Sequence, residues 1–385
     1  MSLLPLRGHH EVRTLLGRAV RGGTLPQSIL VHGPAGVGKE RLGLWLGQLL
    51  LCEEQAEEPC GRCRSCRQAA RVEHPDLHWF FPLPRPDASS PEKLREKLED
   101  ARAAELQLRR SNPLHEPEFD RAPAHFLASV RTLQRLAAAR PNVGERKVFV
   151  VGEAELMVPQ ESSPEAANAF LKLLEEPPAS ATLILTSAQP GALLPTILSR
   201  VTAVRVGLVP EGEIRLLLEE SGLANAEDAA RIAKRSGGSS RRALRLVAAG
   251  GKGEDADRKA GRELLLAALA SGSTARLGAA HERRPAGARN DLVGQLDALS
   301  EWLRDLLAVA ADAPGQVTDP ASLPILRRAI EQRGVRPEGV MDGIQRVEAA
   351  RDLAAGNVNP QLIIADLLRN LQRDLAPPSA DGGRQ

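Results

Sequence analysis

The chain has 385 residues, 42% of them apolar and only 2% aromatic, with no tyrosine, and its 51 Lys and Arg against 49 Asp and Glu leave a net charge of +2. That length supports two or three domains with their own cores. The near-neutral balance excludes a strongly basic surface for autonomous DNA binding, and six Phe plus three Trp, scattered, exclude an extended stacking platform for single strands. No signal peptide or membrane-spanning run is read, which points to a reducing cytoplasm.

In chain order, the apolar run Ser28-Ile29-Leu30-Val31 predicts a strand, and Leu42, Leu46 and Leu50 predict a helix. Between them lies Gly33-Pro34-Ala35-Gly36-Val37-Gly38-Lys39-Glu40. This is the phosphate-binding pattern G-x-x-x-x-G-K-[ST] in every position but the last. Gly33, Gly36 and Gly38 let backbone N–H groups curl around phosphate oxygens, and Lys39 reaches the terminal phosphates. A hydroxyl normally ligates Mg²⁺ at the last position. Glu40 stands there instead, either as an altered ligand or as a sign of a decayed site.

All four cysteines follow closely, as Cys52, Cys60, Cys63 and Cys66, the last three spaced C-x-x-C-x-x-C. Thiolates at that spacing can converge on one structural tetrahedral Zn²⁺. Two disulfides or a redox pair are the alternative, which a reducing compartment disfavours. Residues 82–125 then interrupt the α/β pattern with prolines around a charged helix carrying Leu94, Leu98, Ala101, Ala104 and Leu108 on one face. The segment reads as a flexible insertion with a solvated charged face, and otherwise as a functional arm.

Lys147-Val148-Phe149-Val150-Val151 predicts a buried strand ending in Gly152-Glu153. In P-loop ATPases such a strand ends in Asp-Glu, the Asp steadying Mg²⁺ and the Glu polarising the attacking water. Glu153 is kept and the Asp is absent. Both protein anchors for the metal are therefore altered, so a nucleotide site that does not hydrolyse is expected, although ATP with Mg²⁺ could still be held. Leu183-Ile184-Leu185-Thr186-Ser187 predicts another strand, and helices with Gly and Pro between them are expected over 208–250 and 257–375. In the last block the faces around Leu292, Leu296, Leu299 and Leu303, and around Leu362, Ile363, Leu367 and Leu368, serve either its own core or a partner chain.

The block Asn168-Ala169-Phe170-Leu171-Lys172-Leu173-Leu174-Glu175-Glu176-Pro177-Pro178, the tripeptide His74-Pro75-Asp76, the four-cysteine insertion and the Ser199-Arg200 pair together resemble the AAA+ clamp-loader subunits of bacterial DNA polymerase III, and among them the delta-prime branch. The resemblance covers roughly residues 5 to 250 by motif, and the C-terminal third by helical pattern. It implies an α/β P-loop core with a parallel sheet over 1–206, a helical lid over 207–252, an all-helical collar over 253–375 and a disordered tail over 376–385. It implies that Arg200, with Ser199, is an arginine finger acting in a neighbour's ATP site, a role suited to a permanently charged planar fork. Position after a strand favours that role for Arg200. Val201 stands where the family writes Cys. Thr186 or Ser187 falls at the first sensor position and Arg241 at the second, while Arg242 reads as a solvated residue.

The partners so implied are the tau/gamma and delta subunits, with the sliding clamp and primer-template DNA met through the assembled hetero-oligomer during DNA replication. No membrane is involved. The chain itself would be neither polymerase nor active ATPase. An active motor subunit of the tau/gamma type is the alternative, and Glu40 and Gly152 count against it.

Overall fold

The computed structural model describes the chain apart from residues 1–2, 55, 118, 120, 122, 158–164, 249, 251–255, 283–288, 356–357 and 377–385. It divides into two compact units, Met1–Gly251 and Lys252–Gln385. All but the first residue of the expected 376–385 tail lies outside the described residues.

The first unit is built on a parallel sheet of β1 (Ser28–His32), β2 (Leu77–Phe80), β3 (Lys147–Val151), β4 (Ala181–Ser187) and β5 (Thr202–Arg205), in the order β2-β3-β4-β1-β5. The central strands carry continuous apolar runs, Ile29–Val31, Val148–Val151 and Leu183–Leu185, because both faces are covered. Successive side chains point to opposite faces, so Val148 and Val150 join one core layer with Leu42 and Leu46, whereas Phe149 and Val151 join the other with Phe170 and Leu185. The covering helices are α1 (His10–Arg21), α2 (Lys39–Leu50), α3 (Arg64–Ala70), α4 (Pro91–Ser111), α5 (Leu127–Ala138), α6 (Glu165–Glu175) and the single turn α7 (Pro195–Leu198). This is a parallel α/β core, as the sequence implied. Helices α8 (Glu211–Glu220), α9 (Ala226–Arg235) and α10 (Ser240–Ala248) extend the first core layer through Ile214, Leu218, Ile232 and Leu246.

Parallel strands put all their carboxyl ends on one edge, where ligand clefts of open α/β sheets form. The loop after β1, Gly152-Glu153 after β3, and Thr186-Ser187 at the end of β4 meet on that edge.

The 82–125 segment differs from the expected flexible excursion. An antiparallel bridge between Leu83 and Ala124 pinches its base. Ser90 Oγ caps α4 by accepting from Lys93 N, with Pro91 in the first turn. The buried stripe is also shifted from the expected one. Leu98 and Glu105 are buried and Leu94 and Ala101 partly so, while Ala104 and Leu108 face solvent. A buried carboxylate can hold that place because it has charged partners.

The second unit is all helical: α11 (Ala256–Leu269), α12 (Ser273–His281), α13 (Arg289–Ala310), α14 (Leu323–Arg333), α15 (Pro337–Ala355) and α16 (Pro360–Asp374). Leu292, Leu296, Leu299, Leu303, Ile363, Leu367 and Leu368 are buried within it, so these leucines serve this chain's own core; Leu362 is 65% exposed. A buried Arg258–Asp305 pair at 2.9 Å, with Arg258 over the Trp302 ring, fixes α11 against α13.

Candidate functional site: a P-loop cleft and a four-cysteine knuckle

The loop after β1 takes the course its glycines predict, with Gly36 and Gly38 at φ +75° and +91°, a region open to glycine without steric cost. Lys39, at the first turn of α2, is buried, and its Nζ donates to Gly33 O at 3.0 Å and Pro34 O at 2.7 Å. Burial lowers its pKa, against the opposing charges of Glu155, Glu40 and Glu153.

Glu40 is already engaged. Its Oε2 accepts from Trp79 Nε1 at 2.7 Å, and Arg109 of α4 approaches to 3.7 Å. The carboxylate also passes directly over Gly152. A Cβ at 152 would lie 2.4 Å from Glu40 Oε2 and 2.6 Å from its Cδ, far inside van der Waals contact. The two departures from the ATPase pattern, a carboxylate at 40 and a glycine at 152, therefore occupy one volume.

Glu153 sits in left-handed backbone conformation, φ +48°, with its N–H on Thr186 Oγ1 at 3.2 Å. Strain of this kind persists only where the surroundings fix it. Enclosure in the cleft and then the Glu40 charge push its carboxyl above the usual range, opposed by Arg241, whose Nη1 lies 3.9 Å away. Ser187 is wholly buried, and the neighbouring Ala188 N–H donates to Glu155 Oε1. Arg241 begins α10 in contact with the loop: its N–H donates to Gly36 O at 3.0 Å. These residues do not fit a magnesium nucleotide held in the ordinary way. The one carboxylate at the metal-ligand position is committed to Trp79 and Arg109, and Arg241 is committed to carboxylates.

The cysteines converge. The Sγ atoms of Cys52, Cys60, Cys63 and Cys66 lie within 4.8 Å of one another, with Cys60 and Cys66 at 3.9 Å. A tetrahedral ZnS₄ centre with Zn–S near 2.3 Å requires sulfurs about 3.8 Å apart, so the set fits. Backbone N–H groups of Glu54, Cys63 and Cys66 donate to Cys52, Cys60 and Cys63 respectively. Such bonds stabilise thiolates. The one from Cys63 N leads in bringing the Cys60 thiol to about 7. Beside this knuckle, Asp76 of the His74-Pro75-Asp76 tripeptide is buried, which would raise its pKa; N–H donors from Asn142 and Val143 outweigh that and hold it low, tying the loop before β3.

A family model described as "DNA polymerase III, delta subunit" matches residues 8–208. The chain is 33% identical over 172 residues to the DNA polymerase III subunit delta' of Pseudomonas aeruginosa, covering 44% of this chain and 40% of that one. It is 26% identical over 358 residues to the delta' subunit of Escherichia coli, covering 91% and 90%. The chain belongs to the delta' family of DNA polymerase III clamp-loader subunits. The same core is 30% identical over 246 residues to the tau subunit of Salmonella typhimurium, covering 62% of this chain and 32% of that one. The chain thus spans less than half the length of the Pseudomonas relative and nearly all of the Escherichia one.

In this delta' family member the Ser199-Arg200 pair stands apart from the cleft of its own chain. Arg200 follows the one-turn helix α7 and leads into β5, rather than following a strand as expected. Proline at 195, which pre-sets helical φ, starts that turn. The Arg200 guanidinium is held near the surface, by Glu175 Oε1 at 2.9 Å, Thr196 O at 3.0 Å and Ser199 Oγ at 3.1 Å. Sequence reasoning missed Trp79, Arg109, His125 and Glu116. Only the tertiary fold brings them to the cleft, and no spacing rule connects positions so far apart in the chain.

Proposed function

We propose that this chain is a non-hydrolysing subunit of the DNA polymerase III clamp loader, a rigid member of a hetero-oligomeric ring that lends Arg200 to a neighbouring ATPase site while the ring loads the sliding clamp onto primed DNA in the cytoplasm. The observation that carries it is the Glu40 carboxylate lying over Gly152. With both metal anchors replaced in one volume, the chain's own cleft is poorly suited to polarise a phosphoryl group. Arg200, in contrast, is near the surface and pre-oriented by Glu175, as a group serving another subunit's site needs to be. Partners follow from the family: tau/gamma and delta subunits, with clamp and DNA met through the assembly. The cysteine knuckle is read as a structural Zn²⁺ site that folds the 52–66 segment, and the second unit, 253–375, as the collar closing the ring.

The test is Arg200→Ala in the reconstituted complex. Folding, metal content and assembly of the chain should be unchanged. ATP turnover should fall only in part, because an arginine in trans is worth ~10³ or more at one site but serves a single site of several. Clamp loading should fall further. Loading at the wild-type rate by an assembled Arg200→Ala complex refutes the finger. The likeness to tau supports a second reading, an active motor subunit; turnover near ~1 s⁻¹ by the isolated chain, the lower end for kinases, would favour it.

A further inference from the structure

The 82–125 insertion is tethered to the P-loop cleft at separate points, through Glu105 and Arg109 on α4, through Glu116 and through His125. Buried Glu105 of α4 receives Arg109 Nε at 2.7 Å and His115 Nε2 at 3.1 Å. So braced, Arg109 lies 4.0 Å from the Phe81 ring centroid and 4.8 Å from that of Trp79, and faces Glu40. A desolvated guanidinium on two aromatic faces is a firm contact. One residue past His115, Glu116 accepts from Arg241 Nε at 3.3 Å and from Arg245 Nε at 2.5 Å, both on α10. The end of the insertion returns to the site as well, with His125 Nε2 2.7 Å from Gly152 O.

The helix so gripped is the one pressed on the phosphate loop. A Cβ at Gly36 would lie 2.2 Å from Ser239 Oγ, and the loop carbonyl of Gly36 accepts from Arg241 N. Loop and α10 are thus in direct contact, and the guanidinium at the second sensor position meets the carboxylates of Glu116 and Glu153.

We propose that the ligand of this cleft is the chain's own insertion. Glu116 supplies the anion that bridges core to α10, in the place a nucleotide's phosphates take in a working ATPase, and Arg109 closes over Glu40 at the other end. The 207–252 helices are thereby clamped to the core without nucleotide. This deepens the non-hydrolysing reading, yet it concerns contacts inside one chain and is tested on that chain alone. Single exposed ion pairs contribute little. Here one carboxylate meets two guanidiniums in a network continued by Glu153, so the members should be coupled.

Hydrogen exchange on the full-length chain decides the matter, comparing wild type with Glu116→Gln, Glu116→Gln/Arg109→Ala, and Arg85→Gln as an exposed control within the insertion. In Glu116→Gln the amides of 240–248 and of 91–111 should exchange faster together, by at least about twofold, the lower end for residues in one ion-pair network. The double variant should open further, and a fluorescent ATP analogue should bind it more tightly than wild type. Faster exchange confined to the insertion, with 240–248 unchanged, overturns the proposal, as does equal analogue affinity in all proteins. Wild-type exchange across β3 certifies that a variant is folded; if the double variant fails that check, Glu116→Gln alone decides. An inert Arg200→Ala, or ATP turnover by the isolated chain, would refute the functional reading and leave these exchange results standing.

Discussion

Replacing Gly152 by Asp, the residue an ATPase carries there, should damage this chain rather than improve it. A Cβ at 152 falls 2.4 Å from Glu40 Oε2, about 1 Å inside ordinary contact, so the Glu40 carboxylate has to move. It cannot move freely, because Oε2 is the acceptor of Trp79 Nε1 at 2.7 Å and lies next to Arg109. Overpacking a tight site costs about 1–3 kcal/mol. A buried indole N–H left without its acceptor costs about 1–3 kcal/mol more. Gly152→Ala isolates this steric part. Gly152→Asp adds a carboxylate beside Glu40 and Glu153, whose repulsion is worth at least about 1 kcal/mol at such range even in a high dielectric, for roughly 3–7 kcal/mol in all. That is a large share of the ~5–15 kcal/mol stability of a typical domain. Glu40→Thr removes the clash and the Glu40 share of the repulsion, so Glu40→Thr/Gly152→Asp should be more stable than the sum of the single changes by ~2 kcal/mol or more. Exchange of the β3 amides, read as a function of urea, reports the opening of this unit without interference from the helical one. Additive effects of the two substitutions would refute a shared volume.

Purified protein should carry about one Zn²⁺ per chain; Cys63→Ser should lose it and speed proteolysis within 52–66, and metal-free protein with intact disulfides would rule the site out. Burial of His125 brings its imidazole down to about 4, so the neutral form belongs to the folded chain. Its contribution to stability is complete above pH 6.5 and is lost as pH falls from 6.5 toward 4, by up to ~3 kcal/mol, because the unfolded chain takes the proton first. His125→Gln, which keeps a donor for Gly152 O, should flatten that part of the stability–pH curve; an unchanged slope would show that His125 does not set it.

Strands β1, β3 and β4 were legible as unbroken apolar runs because each is covered on both faces. Edge strands β2 and β5 were not. Leu77-His78-Trp79-Phe80 is short and mixed, and β5 is largely exposed, so neither carries the pattern of a buried strand. The spacing of leucines on α4 predicted a helix correctly and its buried face only in part, since Leu94, Leu98 and Ala101 face the core but Ala104 and Leu108 do not. Period alone could not rank Glu105 above Ala104, because burial of that carboxylate depends on Arg109 and on His115, which lies beyond the helix. The cysteine cluster was legible from spacing because its ligands are local. The meaning of Gly152 was not: read along the chain, it and Glu40 are two separate losses, and their joint volume exists only after β3 and α2 are packed side by side.

The same geometry explains why reverting the motif residues alone should not recreate an ATPase. A working P-loop cleft presents a surplus of positive charge that phosphates and metal then balance. In this cleft Lys39, Arg109, Arg241 and Arg245 are matched by Glu40, Glu153, Glu155 and Glu116, all of them within one unit of the chain. The upward shift of the Glu153 carboxyl, which follows from enclosure first and Glu40 second, indicates that further negative charge is already disfavoured there. A triphosphate entering this cleft would have to displace carboxylates that are covalently part of the chain and therefore present at high effective concentration. Restoring a hydroxyl at 40 and an aspartate at 152 removes one of these carboxylates and adds another, so the balance is unchanged. Removal of Glu116 as well would take away the carboxylate that Arg241 and Arg245 share, which ties the fate of the motif to an insertion that lies outside it.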